Sequence, residues 1–219
     1  MVSGSHKNIW RDESGAALIE FTAAVLTFFL LLFGVVEFAN VFFQWNSATK
    51  AVQLGARLAA VSDPVYVTNP QDFTATVSGY NAGDTLAANA YDLTCNGSLG
   101  TCVCTGSICP NNVTYDATKM RQIIYGRGNT TSTCINTGAN IGMCNIFTRV
   151  TPQNVIVRYQ YTGLGYAGRP GGPVPTITVS ITGLTYDFIL IGGLAGLSSM
   201  QLPGFATTVT GEDLNVSGS

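Results

Sequence analysis

Gly15-Ala16-Ala17-Leu18-Ile19-Glu20-Phe21 opens the stretch on which the reading of the whole chain turns. From Phe21 to Val36 the only polar side chains are Thr22 and Thr27, and after Glu37 the apolar character resumes through Phe38, Val41, Phe42 and Phe43. As a helix, 21–43 is roughly 34 Å long at ~1.5 Å per residue. That length matches a hydrocarbon core of about 30 Å. A buried core helix of a soluble protein carries charge along one face, and this run carries none before Glu37. A cleavable secretory signal has a shorter apolar region followed by small residues. Here Asn40, Gln44, Trp45 and Asn46 follow the run, and the small residues Ser14-Gly15-Ala16-Ala17 precede it. A cut at this site leaves the helix in the mature chain.

Nothing stops the helix at the end of the apolar run. From Asn46 to Val61 there is no proline and one glycine. Ala48, Ala51, Val52, Gly55, Leu58 and Ala59 share one face at i, i+3, i+4 spacing. The first break is Asp63-Pro64, because a residue before proline is pushed out of the α region. A helix over 16–61 is roughly 69 Å long. Its small-residue stripe lets another backbone approach closely. That backbone belongs either to the chain's own domain or to a neighbouring subunit.

Gly15 followed by Ala16-Ala17-Leu18-Ile19-Glu20-Phe21 resembles the processing site of type IV prepilins, most closely those of the Tad (tight adherence) branch. Ala51, Gly55-Ala56-Arg57 and Ala59-Ala60 resemble the signature that follows the membrane helix in TadE-like proteins. The resemblance to the TadE/TadG-like group spans about the first sixty residues. It implies an α+β, pilin-like fold: a long N-terminal transmembrane helix extending into a periplasmic domain with an antiparallel sheet. The expected division is a prepilin-type leader over 1–15, a helix over 16–62 and a periplasmic domain over 63–219. The resemblance implies cleavage between Gly15 and Ala16 by a prepilin peptidase, which makes Ala16 the new N-terminus. It implies assembly roles for Glu20 and Phe21, with Glu20 pairing with the Ala16 amine of a neighbour. It also implies other pilin or pseudopilin subunits and the Tad assembly machinery as partners. The inner membrane is the expected location, with incorporation into an extracellular pilus a further expectation.

The residues themselves leave Glu20 open. A carboxylate costs roughly 2.5–3.5 kcal/mol at the centre of a membrane helix and less near the interface. Glu20 either snorkels to the interface or meets a partner charge. Glu37 lies at the outer membrane interface, as an ordinary interfacial residue or in contact with another helix. A second class of function also stays open, an unprocessed, membrane-anchored periplasmic binding or sensor domain.

Composition narrows the field further. Charged residues are 10% of the chain, against about 25% in typical soluble proteins. The region after residue 63 is instead rich in Thr, Ser, Asn and Gly. A net charge of -2 with no Lys/Arg cluster argues against a nucleic-acid partner. All six cysteines, Cys95, Cys102, Cys104, Cys109, Cys134 and Cys144, lie beyond the apolar run. An even number there points to disulfides in an oxidising compartment. Of about fifteen possible pairings, a local Cys134–Cys144 bridge with the other four paired among themselves is favoured. Zinc is the rival, but Cys95, Cys102, Cys104 and Cys109 lack the paired Cys-x2-4-Cys knuckles of zinc sites.

The turn-rich text over 64–112 includes Asn69-Pro70, Ser78-Gly79, Ala82-Gly83-Asp84 and Asn96-Gly97. It reads as a disulfide-pinned stretch with short helices near 85–91, and the cysteine-rich part, 92–145, as an insertion. Residues 116–125 read as an amphipathic helix with Met120, Ile123 and Ile124 inward. Residues 155–161 and 176–182 read as strands by alternation, joined by a Gly-Pro loop. Residues 184–191 form another apolar segment, and 205–210 a further strand. An antiparallel sheet with one face on the helix is the economical arrangement.

Chemistry-bearing motifs are weak. Gly163-Leu164-Gly165-Tyr166-Ala167-Gly168 spells a dinucleotide fingerprint, but Arg169-Pro170-Gly171-Gly172-Pro173 follows where a helix must start. It reads as a hairpin loop. His6 is the only histidine and lies in the expected leader, so no catalytic triad or histidine metal site is available to the mature chain. Asp72, Asp84, Asp92, Asp116 and Asp187 are scattered. No enzyme activity, cofactor or metal is expected. Asn96, Asn112, Asn129 and Asn215 head glycosylation-type triplets, a loose match without weight in a bacterial reading.

Overall fold

The structure is a computed structural model that describes residues 13–68, 80–88, 90–110, 112–129, 131–134, 140–169, 173–189, 192 and 199–211. Most of the expected leader including His6, the Asn69-Pro70 and Ser78-Gly79 turns, Asp72, residues 170–172 and 190–191, and Asn215 lie outside this set. The architecture is α+β: a long N-terminal apolar helix followed by antiparallel sheet. Two compact units are formed, Met1–Phe42 with Tyr186–Met200, and Phe43–Thr185 with Gln201–Ser219.

Helix α1 runs over Glu13–Ala60, 48 residues without a proline. Within the first unit its side chains are exposed almost throughout, Leu18, Phe21, Leu26, Leu31, Val35 and Phe38 among them. A helix apolar on all sides is stable in a nonpolar solvent rather than in water. The two threonines of the run are compatible with lipid because each hydroxyl donates back into the helix. Thr22 Oγ1 donates to the Ile19 carbonyl at 2.9 Å and Thr27 Oγ1 to the Ala23 carbonyl at 2.9 Å.

In the second unit the same helix changes character. Ala48, Ala51, Val52, Ala56 and Ala59 are fully buried. The small-residue stripe is therefore covered by the chain's own domain. The contact is close at Gly55, where a Cβ would stand 2.5 Å from Met143 Sδ and 2.9 Å from its Cγ. Alanine at 55 gains about 1 kcal/mol in helix propensity, and overpacking costs about 1–3 kcal/mol, so Gly55→Ala should be near neutral to mildly destabilising. Gly55→Leu cannot be absorbed by the buried Met143 and should lower the urea midpoint clearly. Equal midpoints for Gly55→Leu and wild type would contradict this contact.

The main sheet has five antiparallel strands in the order β3-β2-β5-β6-β9. They are β2 (Asp92–Asn96), β3 (Thr101–Thr105), β5 (Val155–Tyr161), β6 (Pro175–Ile181) and β9 (Phe205–Thr210). Two-stranded pairings join β1 (Tyr66–Val67) to β4 (Thr114–Tyr115) and β7 (Thr185–Asp187) to β8 (Ser199–Gln201). The period-two text is obeyed in β5 and β6. Val155, Val157, Tyr159 and Tyr161 face the core beside Ile177, Val179 and Ile181, with Val157 opposite Val179. The other face is rich in threonine, and Thr178 bonds Thr208 across β6 and β9 at 2.9 Å.

Helix α2 (Ala117–Tyr125) buries Met120, Ile123 and Ile124, the face its amphipathic pattern assigns inward. Asp116 caps it, accepting from the Thr118 and Lys119 amides at 2.8 and 3.1 Å. Its end is set by Gly126 at φ +98, where a Cβ would fall 2.0 Å from the Asn140 carbonyl oxygen. A short helix, α3 (Met143–Ile146), and a 3-10 turn over Pro152–Asn154 complete the unit.

Two expectations are corrected. No helix forms over the described residues of 85–91. Alanine-rich text this short cannot nucleate a helix alone, and the backbone is used by neighbours instead: the Ala90 carbonyl accepts from the Ile108 amide at 3.1 Å and the Tyr91 carbonyl from the Tyr161 amide at 3.0 Å. The cysteine-rich stretch is also not merely inserted beside the sheet, because β2 lies inside it, between β3 and β5. Among the described residues of the apolar segment over 184–191, strand covers Thr185–Asp187.

Candidate membrane and assembly site

At the start of α1, Ala16 and Glu20 are one helical turn apart and so share a face. Gly15, Ala16, Glu20 and Phe21 are all exposed. A Cβ added at Gly15 would meet nothing within 4 Å. Among the described residues nothing packs against Gly15, and Glu20 is an exposed carboxyl residue among the exposed apolar side chains Leu18, Ile19 and Phe21.

Glu37 sits differently. It is 3% exposed. Its Oε1 accepts from the Tyr186 hydroxyl at 2.6 Å and from the Ile189 amide at 2.9 Å. These two contacts are with the segment entered through β7. Tyr186 is buried, and its ring packs edge-on against Phe188 at 5.4 Å. Tyr186 and Ile189 were not legible as site residues: they lie 149 and 152 positions from Glu37, and no local pattern marks them. Beyond the apolar run, Trp45 packs edge-on against Phe205 at 4.9 Å, at the place on the helix where interfacial aromatics are common.

The cysteines are paired as Cys95–Cys102, Cys104–Cys109 and Cys134–Cys144. Cys95 and Cys102 are cross-strand partners in the β2–β3 register. Each bridge closes a loop of ten residues or fewer, for roughly 2–3 kcal/mol on the chain-entropy model. Among the described residues no cluster of three or more His, Cys, Asp or Glu side chains is placed to hold a metal.

The carboxylates go to separate tasks. Asp92 pairs with Arg158 across β2 and β5, and the bond holds the guanidinium pKa above its ordinary value. Asp63 pairs with Lys119, Asp84 accepts from the Asn81 amide at 2.8 Å, Asp116 caps α2, and Asp187 is exposed on β7. The glycine-rich 163–168 stretch lies between β5 and β6. Gly163, Gly165 and Gly168 all have positive φ, and a Cβ at Gly165 would approach the Val174 amide nitrogen to 2.8 Å. These glycines shape a hairpin loop.

The buried tyrosines are the electrostatic extremes of the second unit. Burial pushes the hydroxyl pKa of Tyr159 far up, as does the charge it would share with Tyr66, while its bond from the Val65 amide at 3.0 Å pulls the other way. Tyr91 is raised first by burial and then by Tyr66 and Tyr161.

A charge-poor helix exposed over its first half and followed in the chain by an antiparallel sheet is an α+β architecture consistent with the pilin-like class. Residues 15–57 match the family model described as TadE-like protein, and over that segment the chain is TadE-like. The match begins at Gly15 and ends at Arg57, both within the motifs that carry the sequence resemblance. The apolar part of α1 is a candidate membrane anchor. No curated protein and no solved structure matches the chain.

Proposed function

We propose that this protein is a structural minor pilin or pseudopilin that takes part in assembling a Tad-type pilus for surface adherence. The observation that carries the reading is the TadE-like match over 15–57, which falls on a helix whose apolar residues, among them Leu18, Phe21, Leu26, Leu31 and Val35, are exposed over its first half. A prepilin peptidase in the inner membrane cuts between Gly15 and Ala16, and the sheet domain stands in the periplasm. Pilin or pseudopilin subunits and the Tad machinery cover the exposed helix on assembly. Glu20 pairs with the new Ala16 amine of a neighbour, offsetting the desolvation of both groups. Phe21 packs beside that pair. The role is structural and not catalytic.

Intact mass of the protein from its native membrane, together with shear fractionation of the cells, tests the reading. A mass lacking Met1–Gly15 and presence in the sheared filament fraction are expected. A full-length mass and retention in membranes alone would replace it with an unprocessed, anchored periplasmic binding or sensor domain.

A further inference from the structure

We propose that the segment entered through β7 is a second membrane-contacting element, and that its Phe188–Ile189 end rests in the lipid of the outer leaflet beside α1. This rests on reading α1 as membrane-spanning. Glu37 lies about 24 Å along the helix from Phe21 and about 9 Å short of Phe43, at ~1.5 Å per residue. Whatever bonds its carboxylate directly lies at the same depth. Tyr186 and Ile189 do so at 2.6 and 2.9 Å. Both belong with α1's first part to one compact unit.

The chemistry of the segment suits that depth. Ile189 is 70% exposed, comparable to Phe38 on α1 at 71%. Its apolar surface continues that of the helix. Asp187 is exposed on the strand face opposite Tyr186, and a carboxylate there is placed at least cost among the headgroups, so the proposed hydrocarbon contact begins beyond it. Tyrosine, apolar in body and polar at its tip, is enriched at this boundary. Backbone polar groups near lipid need internal partners. The Ile189 amide has one in Glu37, and β7 has one in β8. Glu37 thus serves as the clasp that holds the segment at the boundary. A lipid surface is the fitting occupant because the exposed apolar side chain of Ile189 is fastened through its amide to Glu37 of α1, whose neighbouring side chains Val35, Val36 and Phe38 are exposed and apolar.

The test uses the full chain in phosphatidylethanolamine/phosphatidylglycerol liposomes. The six cysteines are in disulfides, so an introduced cysteine supplies the reactive thiol for a nitroxide label. Labels are placed in Ile189→Cys, in Phe38→Cys as the lipid reference, and in Leu99→Cys, exposed at the β2–β3 turn, as the water reference. Collision with molecular oxygen, which concentrates in lipid, is compared with collision with a water-soluble nickel chelate. The oxygen-to-nickel ratio at 189 is expected to be close to that at 38 and several-fold above that at 99. Adding Glu37→Ala should drop the ratio at 189 several-fold and leave it unchanged at 38. A ratio at 189 matching 99 while 38 remains lipid-like overturns the proposal alone. A water-like ratio at 38 overturns the membrane reading beneath it. Shielding of 189 from both reagents, or dipolar broadening between labels, assigns the surface to protein contact and overturns the lipid assignment.

Discussion

Glu20→Ala is expected to leave the protein inserted in the membrane and cleaved at Gly15–Ala16, yet absent from sheared filaments. The substitution removes an exposed side chain and puts a strong helix former in its place, so the helix itself is expected to be unharmed. In lipid the change is favourable to insertion, since an unpartnered carboxylate costs up to roughly 3 kcal/mol in a membrane helix. Only an interaction made after insertion can therefore explain a loss. Once Ala16 is the N-terminus, its amine needs an acceptor wherever it is drawn into an apolar assembly. A single alanine would leave that amine unpaired on every subunit interface, a penalty of several kcal/mol. Gly15→Leu separates the steps: a Cβ at 15 meets nothing within 4 Å among the described residues, and the expected defect is an uncleaved, full-length protein. Normal amounts of Glu20→Ala protein in sheared filaments would remove Glu20 from the assembly mechanism.

The second large effect is alkaline unfolding. Tyr91 and Tyr159 are buried, and burial raises both hydroxyl pKa values well above the ordinary 10.0. Above that pH the unfolded chain releases these protons while the folded chain keeps them. Burial raises Tyr66 in the same direction, so stability is fully present below pH ~10 and falls above it, by about 1.4 kcal/mol per pH unit for each tyrosine and about 4 for the three. Denaturant midpoints of the full chain in detergent, taken at steps from neutral to about pH 11, should fall steeply in the last unit, together with a late, cooperative rise in tyrosinate absorbance. Tyr159→Phe starts less stable, because the Val65 amide loses its acceptor. Its midpoint should nevertheless fall only about two-thirds as steeply, since Tyr66 and Tyr91 remain. An unchanged slope in Tyr159→Phe would contradict the assignment.

Legibility followed the range of the interactions that fix each element. The membrane run, α2 and the β5–β6 pair were readable because each carries its own period. In β6 three apolar residues alternate with Thr and Ser, and in α2 three spaced residues face inward. Strands β2 and β3 were not readable. Asp92-Leu93-Thr94-Cys95-Asn96 offers only Leu93 and Cys95 to the core, and Asn96-Gly97 resembles loop text. What makes it a strand is its register with β5 and the bridge to Cys102. At the site, Gly15, Ala16 and Glu20 stand out because their motif is contiguous. The burial of Glu37 was hidden, since its partners arrive from the far end of the chain.

The three disulfides have a mechanical consequence. Their sequence separations are 7, 5 and 10, so none ties α1 to the C-terminal strands. If a filament drags on the helix while the C-terminal end is held, the covalent bridges shorten the extensible contour only by their own small loops. Tension instead runs through the rungs between β5, β6 and β9. The bridges hold their own short loops in shape and add no covalent reinforcement to the β5–β6–β9 pairing, so the backbone hydrogen bonds of those strands alone would carry such a load.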